Sequence, residues 1–173
     1  MLLLQATLFS FAVSALALPV VQKRAGVLKA TDYADFQVSD GVGGNALDEV
    51  KANFPIDFDD LANVDANDVA IIKAARETAE DAETGTGGFN DAIAAAGSSS
   101  AAGKALQVGK TKNKVLKLEL EVLGLQIDQA QGGKDNTDKI AEETTKLNNN
   151  IKLDQGNAGA KSQSVDFAGN DDP

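Results

Sequence analysis

Val115-Leu-Lys-Leu-Glu-Leu-Glu-Val-Leu-Gly-Leu-Gln-Ile127 is the stretch on which the fold turns. Its period is ambiguous. Leu116, Leu118, Leu120 and Val122 alternate with Lys117, Glu119 and Glu121, as in a half-buried strand. Two facts favour a helix. Leu, Glu, Lys and Gln are good helix formers, whereas β-branched residues are few. The run also continues from Ala101 to Gln131, well beyond strand length. At about 100° per residue its apolar positions fall into two stripes. Leu116, Leu120, Leu123 and Ile127 form one; Val115, Leu118, Val122 and Leu125 form the other, nearly opposite. A helix that is apolar on two faces is covered on both, so this one belongs at the centre of the molecule. Gly124 lies in its middle at a local cost of about 1 kcal/mol against Ala, which suggests that a neighbouring helix comes close there.

The flanking sequence supplies partners. Gly132-Gly133 turns the chain, and a return helix starts at Asp135 or Thr137. Its narrow face carries Ile140, Thr144, Leu147, Ile151 and Asp154, and the short loop makes the pair antiparallel. Upstream, Asp65 begins a helix in which Val69, Ile72, Ala75, Ala79 and Ala82 recur at helical spacing, with Asp68 completing a weak capping box. Gly85-Thr-Gly-Gly88 ends it. Phe89 to Ala96 forms a short Ala-rich helix closed by Gly97. Asn45 caps another through Phe54, and Pro55 stops it. Asp32 to Ser39 is either a short helix or an extended docking segment. The expectation is an all-α bundle of four to five helices around the hairpin of residues 101–131 and 135–155. Val165 and Phe167 dock back on it, and residues 168–173 form a flexible acidic tail.

The amino terminus carries an address. Residues 1–17 are dominated by Leu, Ala, Val and Phe and end in Ala15-Leu16-Ala17, the pattern of a cleaved secretory signal peptide. The run is too short to span a bilayer comfortably. Residues 18–24 read as a short propeptide ending in the dibasic pair Lys23-Arg24, so the mature domain would begin at Ala25 and occupy residues 25–167. The expected localisation is secreted and extracellular.

Composition then removes function classes. Losing Lys23 and Arg24 with the leader would take the net charge from −10 to −12. Such a chain repels phosphate backbones and anionic headgroups, which disfavours nucleic acid or membrane insertion after signal removal. The sequence has no Cys, His or Trp. Disulfides, thiolate or His-ligated metal sites, and Ser-His-Asp or Cys-His nucleophiles are therefore excluded. No Asn-x-Ser/Thr sequon is present, although Ser98-Ser99-Ser100 could carry O-linked sugar or simply form a turn.

Motifs that resemble chemistry have plainer accounts. Gly41-x-Gly43-x-x-Ala46 has the letters of a dinucleotide loop but no surrounding βαβ unit. Gly97-Ser-Ser-Ser-Ala-Ala-Gly103-Lys104-Ala105 has one residue too many for a phosphate loop, and Ala105 replaces the magnesium-binding hydroxyl. Asp57, Asp59, Asp60, Asp65 and Asp68 crowd together, yet no calcium-loop spacing is met, so helix caps explain them better than a weak calcium site. Carboxylate-based glycoside hydrolysis would need converging acids and sugar-stacking rings, and Tyr33 is the only Tyr. The residues thus yield no catalytic, cofactor-binding or metal-ligating set.

Tyr33-Ala-Asp-Phe-Gln-Val-Ser-Asp-Gly-Val-Gly-Gly-Asn-Ala-Leu47, Ala74-Ala-Arg-Glu-Thr-Ala-Glu-Asp-Ala-Glu83, Gly109-Lys-Thr-Lys-Asn-Lys-Val-Leu-Lys-Leu118 and Ser162-Gln-Ser-Val-Asp-Phe167 resemble small secreted proteins of filamentous fungi, a group sometimes counted among effector candidates. The resemblance implies a secreted fungal protein and transfers no catalytic residue. Together these readings point to a non-enzymatic protein acting by surface interaction with an unidentified protein or cell-wall component. The alternatives are an extracellular carrier holding a small apolar ligand between helices and, from another class, a carboxylate-based secreted hydrolase.

Overall fold

The computed structural model describes residues 25–173. The segments expected to be a signal peptide and a propeptide, with Lys23-Arg24, lie outside the described residues. The chain runs through α1 (Tyr33–Phe36), β1 (Gly41–Val42), α2 (Ala46–Asn53), a 3-10 turn (Phe58–Asn63), α3 (Ala66–Thr84), α4 (Phe89–Ala96), α5 (Ala101–Ala130), α6 (Thr137–Gly156) and β2 (Lys161–Ser162). The expected all-α bundle around a long central helix is what forms, with a two-residue antiparallel pairing of Gly41–Val42 and Lys161–Ser162 and isolated bridges between Asp32 and Asn170 and between Gly43 and Ala158.

α5 is central because both of its stripes are covered. Leu116, Leu120, Leu123 and Ile127 enter the larger core with Ile71, Ile72, Ala75, Ala79 and Ala82 of α3 and with Tyr33, Phe36 and Phe54. The small alanines let α3 lie close against α5. On the other side Val115, Leu118 and Val122 meet Ala46, Leu47, Leu147 and Ile151 of α2 and α6. Leu125 departs from the expected stripe and is only half-buried.

The ends of the helices follow local chemistry, with corrections. Ser100 Oγ accepts from Gly103 N at 2.9 Å and starts α5. Gly132, at φ 83°, turns the chain after it. Asn45 precedes α2 as expected, but its side chain makes no capping bond. Asp154 of α6 caps α2 instead, accepting from Gly44 N and Ala46 N at 2.9 Å each. Asp65 does cap α3, through Asn67 N at 2.8 Å. Asp68 does not complete a box there. It turns away and accepts from Val27 N and Leu28 N.

Two further expectations fail. Gly124 does not mark a close helix approach, for a Cβ built there would meet nothing within 4 Å. The close approaches fall at Gly103, against the Gly97 carbonyl, and at Gly109, against the carbonyls of Gln163 and Ser39. Residues 168–173 are also not a loose tail. Gly169 O accepts from Tyr33 N at 2.7 Å, and Thr31 N bonds to the Asp171 carboxylate while Thr31 O accepts from Asp171 N. Val165 and Phe167 pack against the larger core as expected.

Candidate functional site

Gly124 opens the floor of a groove of about 370 Å³ between α3 and α5. Val69 and Ile72 line it from α3, Leu120 and Leu125 from α5. Val69 and Ile72 stand one turn apart on α3, and Leu120 and Leu125 flank Gly124 on α5. Lys73 and Arg76 rim the α3 side, Glu121 and Asp128 the α5 side. Arg76 Nε reaches Glu121 Oε2 at 3.2 Å across one end. Asp128 at the other accepts from Asn136 Nδ2 at 2.8 Å. Beyond Arg76 and Glu121 the groove passes into a charged basin of about 270 Å³ that also takes in Glu80, Lys117, Glu143 and Lys146. An apolar slot with both signs of charge at its edges suits an amphipathic side-chain cluster on another molecule.

The carboxylates nearby are held ionised. Burial pushes Glu83 up, but the hydrogen bond from Lys117 and the charges of Lys117, Lys114 and Lys110 outweigh it and keep the carboxyl below its ordinary value. Lys117 Nζ lies 2.9 Å from Glu83 Oε2 and 2.8 Å from Glu80 Oε2. Glu143 is lowered in the same manner, its burial being overcome by hydrogen bonds from Lys139 and Lys146. Glu119 behaves differently: burial raises its carboxyl, and the Lys51 charge offsets this only in part.

The motif-like segments serve the fold. Gly41 and Val42 pair with β2, and the amides after Gly43 are taken by Asp154, so the start of α2 already holds a carboxylate. Gly97 to Lys104 forms a Ser-capped helix start in which Gly103 sits on Gly97. Asp57 accepts from Asp59 N at 3.0 Å, and Asp60 from Asn63 Nδ2 at 2.6 Å. Among the described residues no group of three or more His, Cys, Asp or Glu is arranged to hold a metal ion. Tyr33 is buried, and its hydroxyl donates to Asn113 Oδ1 at 2.8 Å.

Sequence reasoning missed the rim residues Lys73, Arg76 and Asp128, which look like ordinary solvated helix positions. It also missed Lys112. This ammonium is fully buried and donates to the carbonyls of Asp40 at 2.9 Å and Val42 at 3.0 Å, with Glu49 Oε2 at 2.8 Å. It fastens the β1 loop to α5. A lysine with apolar neighbours three and four residues away was its one visible signal.

An all-α bundle bearing an open groove on its long central helix is the class of protein that this geometry defines. Residues 28–166 match the family described as Domain of unknown function (DUF8454), and the chain belongs to that family. The match takes in every helix from α1 to α6. No curated protein and no solved structure matches the chain. Among the described residues no helix is long and apolar enough to cross a membrane.

Proposed function

We propose that this is a secreted, non-enzymatic fungal protein that acts by binding a cell-wall or host component, and that the α3–α5 groove is its contact surface. The observation that carries this reading is Gly124. A glycine in mid-helix costs about 1 kcal/mol, and among the described residues no side chain uses the room it leaves. The space is available to a partner, whose apolar side chain would seat against Leu120, Leu125, Ile72 and Val69. Lys73 and Asp128 give that partner ionic anchors at the rim. Secretion rests on the sequence of residues 1–24.

The carrier alternative requires a chamber between helices. The filling of both α5 faces by α2, α3 and α6 weighs against it. The hydrolase alternative requires a carboxyl held protonated beside a second acid. Lysines hold Glu83 and Glu143 ionised, which weighs against that role. Filling the groove tests the proposal. Gly124→Phe should keep the fold and abolish retention of the protein on isolated fungal cell wall or on host extracellular proteins. Equal retention of variant and native protein would sink it. An apolar molecule extracted from the native protein and lost in Gly124→Phe would favour the carrier.

A further inference from the structure

The first described residues lie at one end of the α3–α5 groove. Gln131 Nε2 donates to the Val64 carbonyl at 2.8 Å, which sets the end of α5 beside the foot of α3. Asp128 therefore marks the foot end of the groove, and the Arg76–Glu121 pair marks the far end. Val27 N and Leu28 N each donate to Asp68 at 2.9 Å. One residue earlier the backbone has moved across the helix. A Cβ on Gly26 would lie 3.0 Å from Asp68 Oδ1 and 3.5 Å from Asp65 Oδ1. Ala25 then lines a small cleft with Val64 and Asp65. At about 100° per residue Asp65 falls in the same arc of α3 as Val69, Ile72 and Arg76, whereas Asp68 lies outside it. Traced backwards, residues 28 to 25 thus step toward the stripe of α3 that lines the groove, and Ala25 reaches it about one turn below Val69.

The residues before Ala25 suit that groove. Leu18-Pro-Val-Val-Gln-Lys-Arg24 offers the apolar side chains of Leu18, Val20 and Val21, then two cations and no acid. Extended, the segment reaches about 23 Å. The turn below Val69 and the run from Val69 to Arg76 together take about 16 Å of helix axis, so the segment is long enough to cover the groove. We propose that residues 18–24 lie in the α3–α5 groove of the unprocessed chain, with Lys23 and Arg24 toward Asp128 and an apolar side chain over Gly124, and that cleavage after Arg24 uncovers it. A protease specific for dibasic pairs adds water across the Arg24–Ala25 amide; Arg24 keeps the carboxylate and Ala25 the amine. A tethered segment meets its groove at an effective concentration on the order of millimolar, so weak contacts hold it. Cut free and diluted, the same peptide leaves. As regulation of a contact surface, the inference rests on the function proposed above for the groove; the docking of residues 18–24 does not.

The sequence has no cysteine, so introduced thiols report the docking without background. The unprocessed chain, secreted by a host strain that lacks the dibasic-specific protease, is prepared with Gly124→Cys and one of Leu18→Cys, Val20→Cys or Val21→Cys. Two cysteines close a disulfide only when their Cα atoms come within about 7 Å. At least one of the three pairs should oxidise tenfold faster than the same position paired with Leu153→Cys on the exposed face of α6. Closure no faster at residue 124 than at residue 153 would overturn the proposal. In a second measurement, Gly124→Cys alone should react with a bulky maleimide at least tenfold faster once the chain is cut at Lys23-Arg24 and the peptide removed. An unchanged rate would overturn the uncovering. Neither measurement needs a partner. Equal wall or host retention of processed native protein and Gly124→Phe would therefore sink the contact surface while leaving the docked segment in place.

Discussion

Tyr33 has no exposed surface, and burial pushes its phenol up to about 12. Its hydroxyl stays neutral and donates to Asn113 Oδ1, while Asn113 Nδ2 donates to the Ala79 carbonyl at 2.8 Å. This polar bridge ties α1 to α5 and α3 through an otherwise apolar core. Tyr33→Phe would leave the amide oxygen buried without its donor, so urea unfolding should show a loss of about 1–2 kcal/mol. Two glycines of α5 make a second residue-scale prediction. Gly124→Ala meets open space and should raise stability by about 0.5–1 kcal/mol. Gly109→Ala would drive a methyl into the Gln163 carbonyl and should destabilise, although both are glycines in the same helix. If both variants melt alike, the close approach at Gly109 is wrong. Sequence alone could not separate them, because the crowding at Gly109 comes from a segment more than fifty residues further along the chain.

At the scale of elements, α2 depends on a cap that it does not carry. Asp154 sits one face away on α6 and satisfies two amides at the start of α2 across 108 residues of chain. Asp154→Ala should therefore cost about 1–3 kcal/mol, more than loss of an exposed cap, because the orphaned amide of Ala46 is buried. Asn45→Ala should cost little, since its side chain makes no capping bond. Glu119 gives a pH-dependent expectation for α5. Its folded carboxyl titrates above the ordinary 4.5, so the folded state favours the protonated form. Its ionisation therefore removes stability as pH rises from the ordinary value through the raised one. Glu119→Gln should melt higher than the native protein at neutral pH, and the gap should close as pH falls below 4.5; a gap constant with pH would contradict this. The helices themselves were legible, with α4 and α5 matching their expected spans to within a residue. Long helix-forming runs bounded by Gly, Ser and Pro fix such ends locally. What could not be read was the exchange of caps between distant elements, because an aspartate on a helix face looks the same whether it meets water or another helix's amides.

For the whole molecule, the two stripes of α5 made its central place legible, and the structure divides them between two cores as expected. The interpretation of Gly124 was the informative failure. It was read as the mark of a close helix approach, but among the described residues nothing comes within 4 Å of a Cβ built there. The groove was hidden because its rim uses Lys, Arg and Asp, residues that a solvated surface uses equally. The carboxy-terminal residues were also misjudged. Their polar composition suggests a tail, yet backbone pairing with residues 31–33 needs no apolar side chain and leaves no periodicity to read.

The measurement that bears most directly on the proposed surface is retention of native protein, Gly124→Phe and a control changed on α6, Leu153→Ala, on isolated fungal wall and on immobilised host extracellular proteins. Leu153 is 59 % exposed and lies outside the groove. Retention of native protein and Leu153→Ala, with loss of at least tenfold in Gly124→Phe at unchanged melting behaviour, is the predicted result. Equal retention of all three would place the contact elsewhere on the molecule and contradict the role assigned to the α3–α5 groove.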